Sequence, residues 1–147
     1  MDLAAFPRTL VTEAADAIVL ADSEGLIRFW NAGAERIFGY PAADALGRSL
    51  DLIIPENLRK RHWDGYRQTM RSGETRYGAG DILAVPALRR DGSRISVEFS
   101  IVPLRQEGGA LGGIAAVMRD VTARFEELRA LRKEVAALKA AAAPPTR

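Results

Sequence analysis

Cysteine is absent from the 147 residues. Disulfides, thiolate nucleophiles, iron–sulfur clusters, Cys-bearing zinc sites and a photochemical cysteinyl adduct to flavin are all excluded with it. Histidine occurs once, at His62, and one imidazole cannot make a zinc site, which needs about four ligands. No apolar run approaches the ~20 residues of a membrane span. The start, "MDLAAFPRTLVTEAADAIVLAD", has no basic stretch ahead of a long apolar core, so it does not read as a secretion signal. The expectation is a soluble, cytoplasmic protein with no membrane partner. Neither sign of charge dominates: 21 Lys and Arg are interspersed with 19 Asp and Glu, for a net charge of +2. That mild basic bias describes a solvated surface rather than a nucleic-acid interface. There is no Ser-His-Asp order, no glycine-rich phosphate loop and no pair of carboxylates at a catalytic spacing, so an enzyme is not expected.

What is present suits one soluble domain with appendages: 48% of residues are hydrophobic and 27% charged, and the length is enough to bury a core. Leu3, Phe6 and Leu10 recur at helical spacing and Pro7 suits a first turn, which predicts an amphipathic lead helix within residues 1–16. "AIVLAD" and "LIRFWN" are β-rich runs around "SEG", a hairpin signal with Gly25 free to take a positive φ. "NAGAERIFGYPAADALGRSL" predicts two short helices, with Asn31 as N-cap, Gly39 and Gly47 as stops and Pro41 opening a new turn. After Pro55 a longer helix is predicted, about Glu56 to Arg71, stopped at Ser72-Gly73. The second half changes period. "RRDG" marks a turn between two extended runs, and Ile95, Val97, Phe99 and Ile101 alternate onto one face of the second. "GIAAVMRDV" reads as a last strand. Two strands, several short helices and three strands make an α+β fold, a contiguous antiparallel sheet with helices gathered on one face. It occupies residues 17–121.

From Thr122 the composition shifts. Val121, Leu128, Leu131, Val135, Leu138 and Ala142 follow a 3-4 spacing over roughly three heptads, with Arg124 the one polar break. A helix this short and thinly apolar does not stand alone. A parallel two-stranded coiled coil over 122–143, making the protein a homodimer, is weighed against a helix folded back on the sheet. Residues 144–147 read as a frayed end.

Together, "AIVLADSEGLIRFWNAGAERIFGY", "ALGRSL", "IIPE", "RRDGSRISVEFSIVPL" and the closing "RDVT" resemble a PAS domain over Ala17 to Thr122. The resemblance implies a five-stranded antiparallel sheet of order 2-1-5-4-3 cupped by helices, in a sensor and dimerisation module. The family's terminal Asp-x-Thr is matched by Asp120 and Thr122. Thr122 is expected to N-cap the tail helix, and Asp120 to lock strand to helix. Family members hold haem, flavin, small carboxylates or nothing, so the pocket residues decide.

At 100° per residue, His62, Gly65, Tyr66 and Thr69 share the face of Leu58, while Lys60, Asp64, Arg67 and Arg71 face the other way. His62 thus points toward the sheet. A lone inward imidazole suits a proximal haem ligand, although periodicity alone favours a core histidine bonded to backbone. "IPENLRKRHWDGYRQ" resembles the corresponding stretch of haem-PAS sensors of the FixL and DOS type, in which the histidine matching His62 is the iron ligand. The resemblance therefore implies haem b on His62, with Tyr66 on the same helix face. On the far side of the cofactor those sensors place an arginine or a methionine. Here "RYGAGDIL" offers Asp81 at about the arginine position, with Ile82 beside it, and Ala79 or Gly80 near the methionine position, so neither ligand carries over. Ala116 and Met118, pointing inward from the last strand, would line the pocket, with Met118 a packing residue before it is a ligand. Arg76 could pair with a haem propionate or be an ordinary surface arginine. Trp30 and Trp63 are assigned to packing or interface contact, and Glu98 to solvent or a partner subunit.

Three functions follow. The first is a haem-binding sensory module for a diatomic gas or a redox state, passing its signal through the dimeric C-terminal helix to a downstream signalling protein. The second is a cofactor-free dimerisation and interaction module. The third is a flavin- or small-metabolite-binding module.

Overall fold

The computed structural model describes residues 1–145. The expected frayed end falls partly on residues 146–147, outside the described residues. Five strands form one antiparallel sheet: β1 (Ala17–Asp22), β2 (Ile27–Trp30), β3 (Leu83–Leu88), β4 (Arg94–Arg105) and β5 (Leu111–Asp120), in the order β2-β1-β5-β4-β3. The last strand starts at Leu111, two residues ahead of the run read from the sequence, because the glycines after Leu111 tolerate extended backbone while β4 supplies their partners.

Alternation sets which face is buried. Ala17, Val19 and Ala21 of β1 are buried and pair with Met118, Ala116 and Ile114 of β5. Phe99 and Ile101 of β4 pair with Met118 and Ala116 in turn. Helices α2 (Ala32–Phe38) and α3 (Ala42–Ala45) and a 3₁₀ turn (Leu50–Leu52) cover this face. The core there joins Phe38, Ile27, Trp30, Val97 and Met118. Each large apolar side chain so removed from water contributes roughly 1.5–3 kcal/mol.

Asn31 ties three elements together. It is buried; its Oδ1 accepts from the backbone N–H of Ala34, capping α2, and from that of Ile18 in β1. Its Nδ2 donates to the carbonyls of Asp16 and of Val11, the latter in α1 (Phe6–Glu13). The lead helix is thus shorter than the 16 residues allotted to it, and it buries none of its side chains: Phe6 and Leu10 are more than half exposed.

α4 (Glu56–Ser72) follows Pro55 and stops at Gly73, whose φ of 72° is the left-handed C-cap conformation. Glu56 in its first turn and Arg71 in its last complement the helix dipole.

The tail, α5 (Thr122–Ala142), buries no residue. It does not fold back on the sheet. Thr122 is not its N-cap, as the sequence suggested: Val121 takes that position, because the Thr122 hydroxyl is turned to the sheet, accepting from the N–H of Ser96 and donating to Asp120. Asp120 accepts from the Thr122 N–H at 2.9 Å, and Val121 N–H donates to the Ser96 carbonyl.

Candidate functional site

α4 divides its faces by charge. Lys60 and Arg67 both pair with Asp64 on the exposed side, at 2.7 and 3.1 Å, and their hydrogen bonds hold the Asp64 carboxyl below its ordinary pKa. The opposite side carries His62, Trp63 and Tyr66, which form one aromatic cluster. The His62 ring lies 4.7 Å from that of Trp63, edge to face, and 5.7 Å from that of Tyr66.

Both flanking rings are anchored. Trp63 Nε1 donates to Asp51 Oδ1 at 2.8 Å, and the Trp63 ring fills the space over Gly25, where a Cβ would stand 2.2 Å from it. Gly25, at φ +80°, turns the β1–β2 hairpin. Tyr66 is buried, and its hydroxyl donates to the Asp22 carbonyl at 2.6 Å. Burial, and then the charge of Asp22, push the phenol pKa up, so the hydroxyl keeps its proton and that bond. Asp51 also lies 3.8 Å from Arg59. The imidazole is therefore held from two sides by rings fixed to the β1–β2 turn and to the 3₁₀ turn.

His62 itself is unsatisfied. Its Nδ1 is buried and has no hydrogen-bond partner, a state that costs about 1–3 kcal/mol for a buried polar atom and calls for a reason. Burial lowers its pKa, outweighing the opposing charge of Asp51, so the ring is neutral near pH 7. The core histidine bonded to backbone, one of the two readings left open by periodicity, is not what the geometry shows. A neutral imidazole keeps a nitrogen lone pair that can bind a metal, and Trp63 and Tyr66 fix how this ring is aimed.

Of the other sequence-predicted site residues, Tyr66 stands beside His62, its ring centroid 5.7 Å away. Met118 is buried, and Ala116 packs against the same core from one turn of pleat away. Arg76, Asp81 and Ile82 are exposed on the segment between α4 and β3. The Arg76 guanidinium bonds the Tyr77 hydroxyl and lies over its ring. Asp81 accepts from the N–H of Gly78 at 2.7 Å, closing its own loop. Gly65 is exposed, with nothing within 4 Å of a Cβ placed on it. Sequence reasoning missed Asp51 as a site residue and gave Trp63 only packing. The lone acid in "LDLIIP" was the available signal for the first; for the second there was none beyond adjacency to His62.

Among the described residues no group of three His, Cys, Asp or Glu side chains could hold a bare metal ion. Haem makes a smaller demand, since its porphyrin nitrogens hold the iron and a single protein ligand suffices. The donor set around His62 fits that demand.

Comparison with known proteins agrees with the architecture. The profile of a family described as "PAS domain" matches residues 15–123. The sensor protein FixL of Bradyrhizobium diazoefficiens is 29% identical over 128 residues, covering 83% of this chain and 25% of FixL. The oxygen sensor protein DosP of Escherichia coli is 26% identical over 120 residues, covering 82% of this chain and 15% of DosP. The chain thus spans a quarter or less of these relatives. An RNA-binding Light-Oxygen-Voltage receptor of known structure superposes with a TM-score of 0.69 at 25% identity, over 92% of this chain and 39% of that one.

Proposed function

The chain belongs to the PAS domain family, and on that footing we propose that this sensory domain binds haem b, with His62 as its ligand to iron. The observation that carries the reading is the buried, partnerless Nδ1 of a neutral imidazole. The "IPENLRKRHWDGYRQ" stretch, similar to that of haem-binding members, and the similarity to FixL and DosP support it.

Haem iron supplies a centre that takes up a diatomic gas or changes oxidation state. The chain's own residues do the rest. Trp63 and Tyr66, each tied to a separate turn, hold the imidazole plane so that little rotamer freedom is lost on ligation. Ala116 and Met118 provide apolar wall from β5. Arg76 would hold a propionate carboxylate with the guanidinium that now bonds the Tyr77 hydroxyl. Asp81 and Ile82 would border the cofactor from the same segment, and an acid there would give a bound gas surroundings unlike those made by an arginine. A shift felt by Ala116 and Met118 runs along β5 to Asp120 and so to α5, where a downstream signalling protein reads it as a change in population.

The similarity to the Light-Oxygen-Voltage receptor favours a second reading, a flavin bound without covalent chemistry, since no cysteine is present to form an adduct.

One experiment separates them. The full chain is purified with haem supplied, beside His62→Ala, and visible spectra are recorded. A Soret band that the substitution removes or shifts, with unchanged far-UV circular dichroism, is the expected outcome. Equal haem content and an identical spectrum in the variant would sink the assignment, as would a colourless wild-type protein; a flavin spectrum would replace it with the second reading.

A further inference from the structure

The two tryptophans bond their indole nitrogens at nearly the same length and to unlike acceptors. Trp30 Nε1 donates to the backbone carbonyl of Tyr40 at 2.9 Å, and the residue is buried in the core. Trp63 Nε1 donates at 2.8 Å to the carboxylate of Asp51. Packing an indole asks only for a neutral acceptor, which is what Trp30 has. A carboxylate does more: it stabilises positive charge that develops on the ring it faces.

Indole and phenol are the side chains without sulfur that give up an electron most readily, and one of each stands beside His62. Tyr66 is badly placed for it. A phenol that loses an electron must also shed its proton, and the Tyr66 hydroxyl bonds the backbone carbonyls of Asp22 and Ala21, at 2.6 and 3.4 Å, neither of them a base. Trp63 sheds nothing. With the proton kept on Nε1, its cation radical faces Asp51 as an ion pair of no net charge. Arg59 steadies the acid's backbone, donating to the carbonyls of Ile54 and Asp51, and its own charge lies farther from Asp51 Oδ1 than the indole does, at 3.8 Å. The Trp63 ring stands edge to face with the imidazole at 4.7 Å. It is half-buried, so a reductant in solution has access to it.

We propose that Trp63, with Asp51 as its counter-charge, is a one-electron donor to the cofactor site at His62, and that the oxidant it answers is a peroxide. The proposal rests on the haem reading of that site. Reduction of hydrogen peroxide to two waters takes up two electrons, with two protons from solvent. The iron yields one electron and the Trp63 indole the other, passed by way of the neighbouring imidazole. The indole is left as the cation radical, no bond of the protein forms or breaks, and a small one-electron reductant in solution returns the ring to its resting state.

Two measurements on the full chain test this. The first uses no haem: hexachloroiridate(IV), a one-electron oxidant, is mixed with the chain, and the oxidised tryptophan is located by peptide mass spectrometry. Trp63 should react before Trp30. Asp51→Asn keeps the shape and an acceptor for Nε1, and should slow oxidation at Trp63 about tenfold, roughly the factor between a charged and a neutral acceptor. The oxidant is an anion, so loss of a negative charge would by itself hasten its approach; a slower reaction therefore reports the lost stabilisation of the ring. Trp30 reacting first, or an equal or faster rate at Trp63 in Asp51→Asn, would overturn the proposal. In the second, haem-loaded chains matched in haem content by Soret absorbance are mixed with hydrogen peroxide and freeze-quenched for electron paramagnetic resonance. A protein radical should form in the wild type and in Trp30→Phe and be lost in Trp63→Phe, with far-UV circular dichroism verifying each fold. A radical of unchanged shape and yield in Trp63→Phe would also overturn it. A chain that takes up no haem would end the haem reading instead, and the iridate measurement would then decide the donor alone.

Discussion

Two residues carry consequences out of proportion to their size. Asn31 satisfies four backbone groups from one buried amide, and Asn31→Ala leaves all four without that partner. At about 1 kcal/mol or more for each buried bond lost, the substitution should cost about 3–5 kcal/mol, read as a fall in the urea midpoint with unchanged slope. His62 acts through protons. Because burial holds its pKa below the ordinary 6.5, the unfolded chain binds a proton that the folded chain refuses. The residue's contribution to stability is complete above pH 6.5 and is lost as the pH falls from there through the folded-state pKa. The chain without added haem should accordingly lose more stability between pH 7 and pH 5 than His62→Leu does, measured by urea unfolding at both pH values. Equal losses would show that the imidazole titrates freely in the fold.

At the scale of elements, α4 is held to the β1–β2 hairpin by side chains rather than by backbone pairing. Gly25 is the test. Gly25→Ala puts a methyl into the Trp63 ring and strains a residue at φ +80°, the latter alone costing about 1–2 kcal/mol. The variant should melt lower and its tryptophan emission should shift to the red as Trp63 leaves Asp51; an unshifted spectrum would mean the ring has room to move. This contact also marks where the sequence stopped being legible. The bounds of β1, β2 and α4, the caps at Asn31 and Gly73, and the alternation of β4 are local, set by period and by one or two special residues, and they could be read directly. The docking of Trp63 over Gly25 joins positions 38 apart through shape alone, which no period records. The same is true of Asp51, whose role comes from a helix that follows it. Thr122 was misread for a related reason: its hydroxyl had two uses, and the strand across from it won. The inward face of α4 was legible from His62 and Tyr66; the missing partner on Nδ1 was not, because unsatisfied groups exist only once every neighbour is in place.

For the whole molecule, the apolar surface divides in two. The inner face of the sheet is covered by helices, while α5 is covered by nothing in the single chain. If a second copy covers it, the melting temperature of the full chain should rise with protein concentration, by mass action. A chain ended at Ala123 should keep the far-UV signature of the sheet and melt at one temperature whatever its concentration. Concentration dependence surviving that deletion would move the interface to the exposed face of α1 or the sheet. Among the described residues no helix is long and apolar enough to cross a membrane.

Ser96 both donates to Thr122 and accepts from Val121, so the first residues of α5 are bonded to β4 as though they were one more rung of the ladder. The helix is keyed to the sheet like a shaft in its collar, unable to swivel without breaking both bonds. What such a joint preserves is angle, not distance. One residue inserted after Asp120 would turn the helix by about 100° and point a different set of side chains inward, whereas seven inserted beyond Leu138 would lengthen it and leave its bearing almost unchanged.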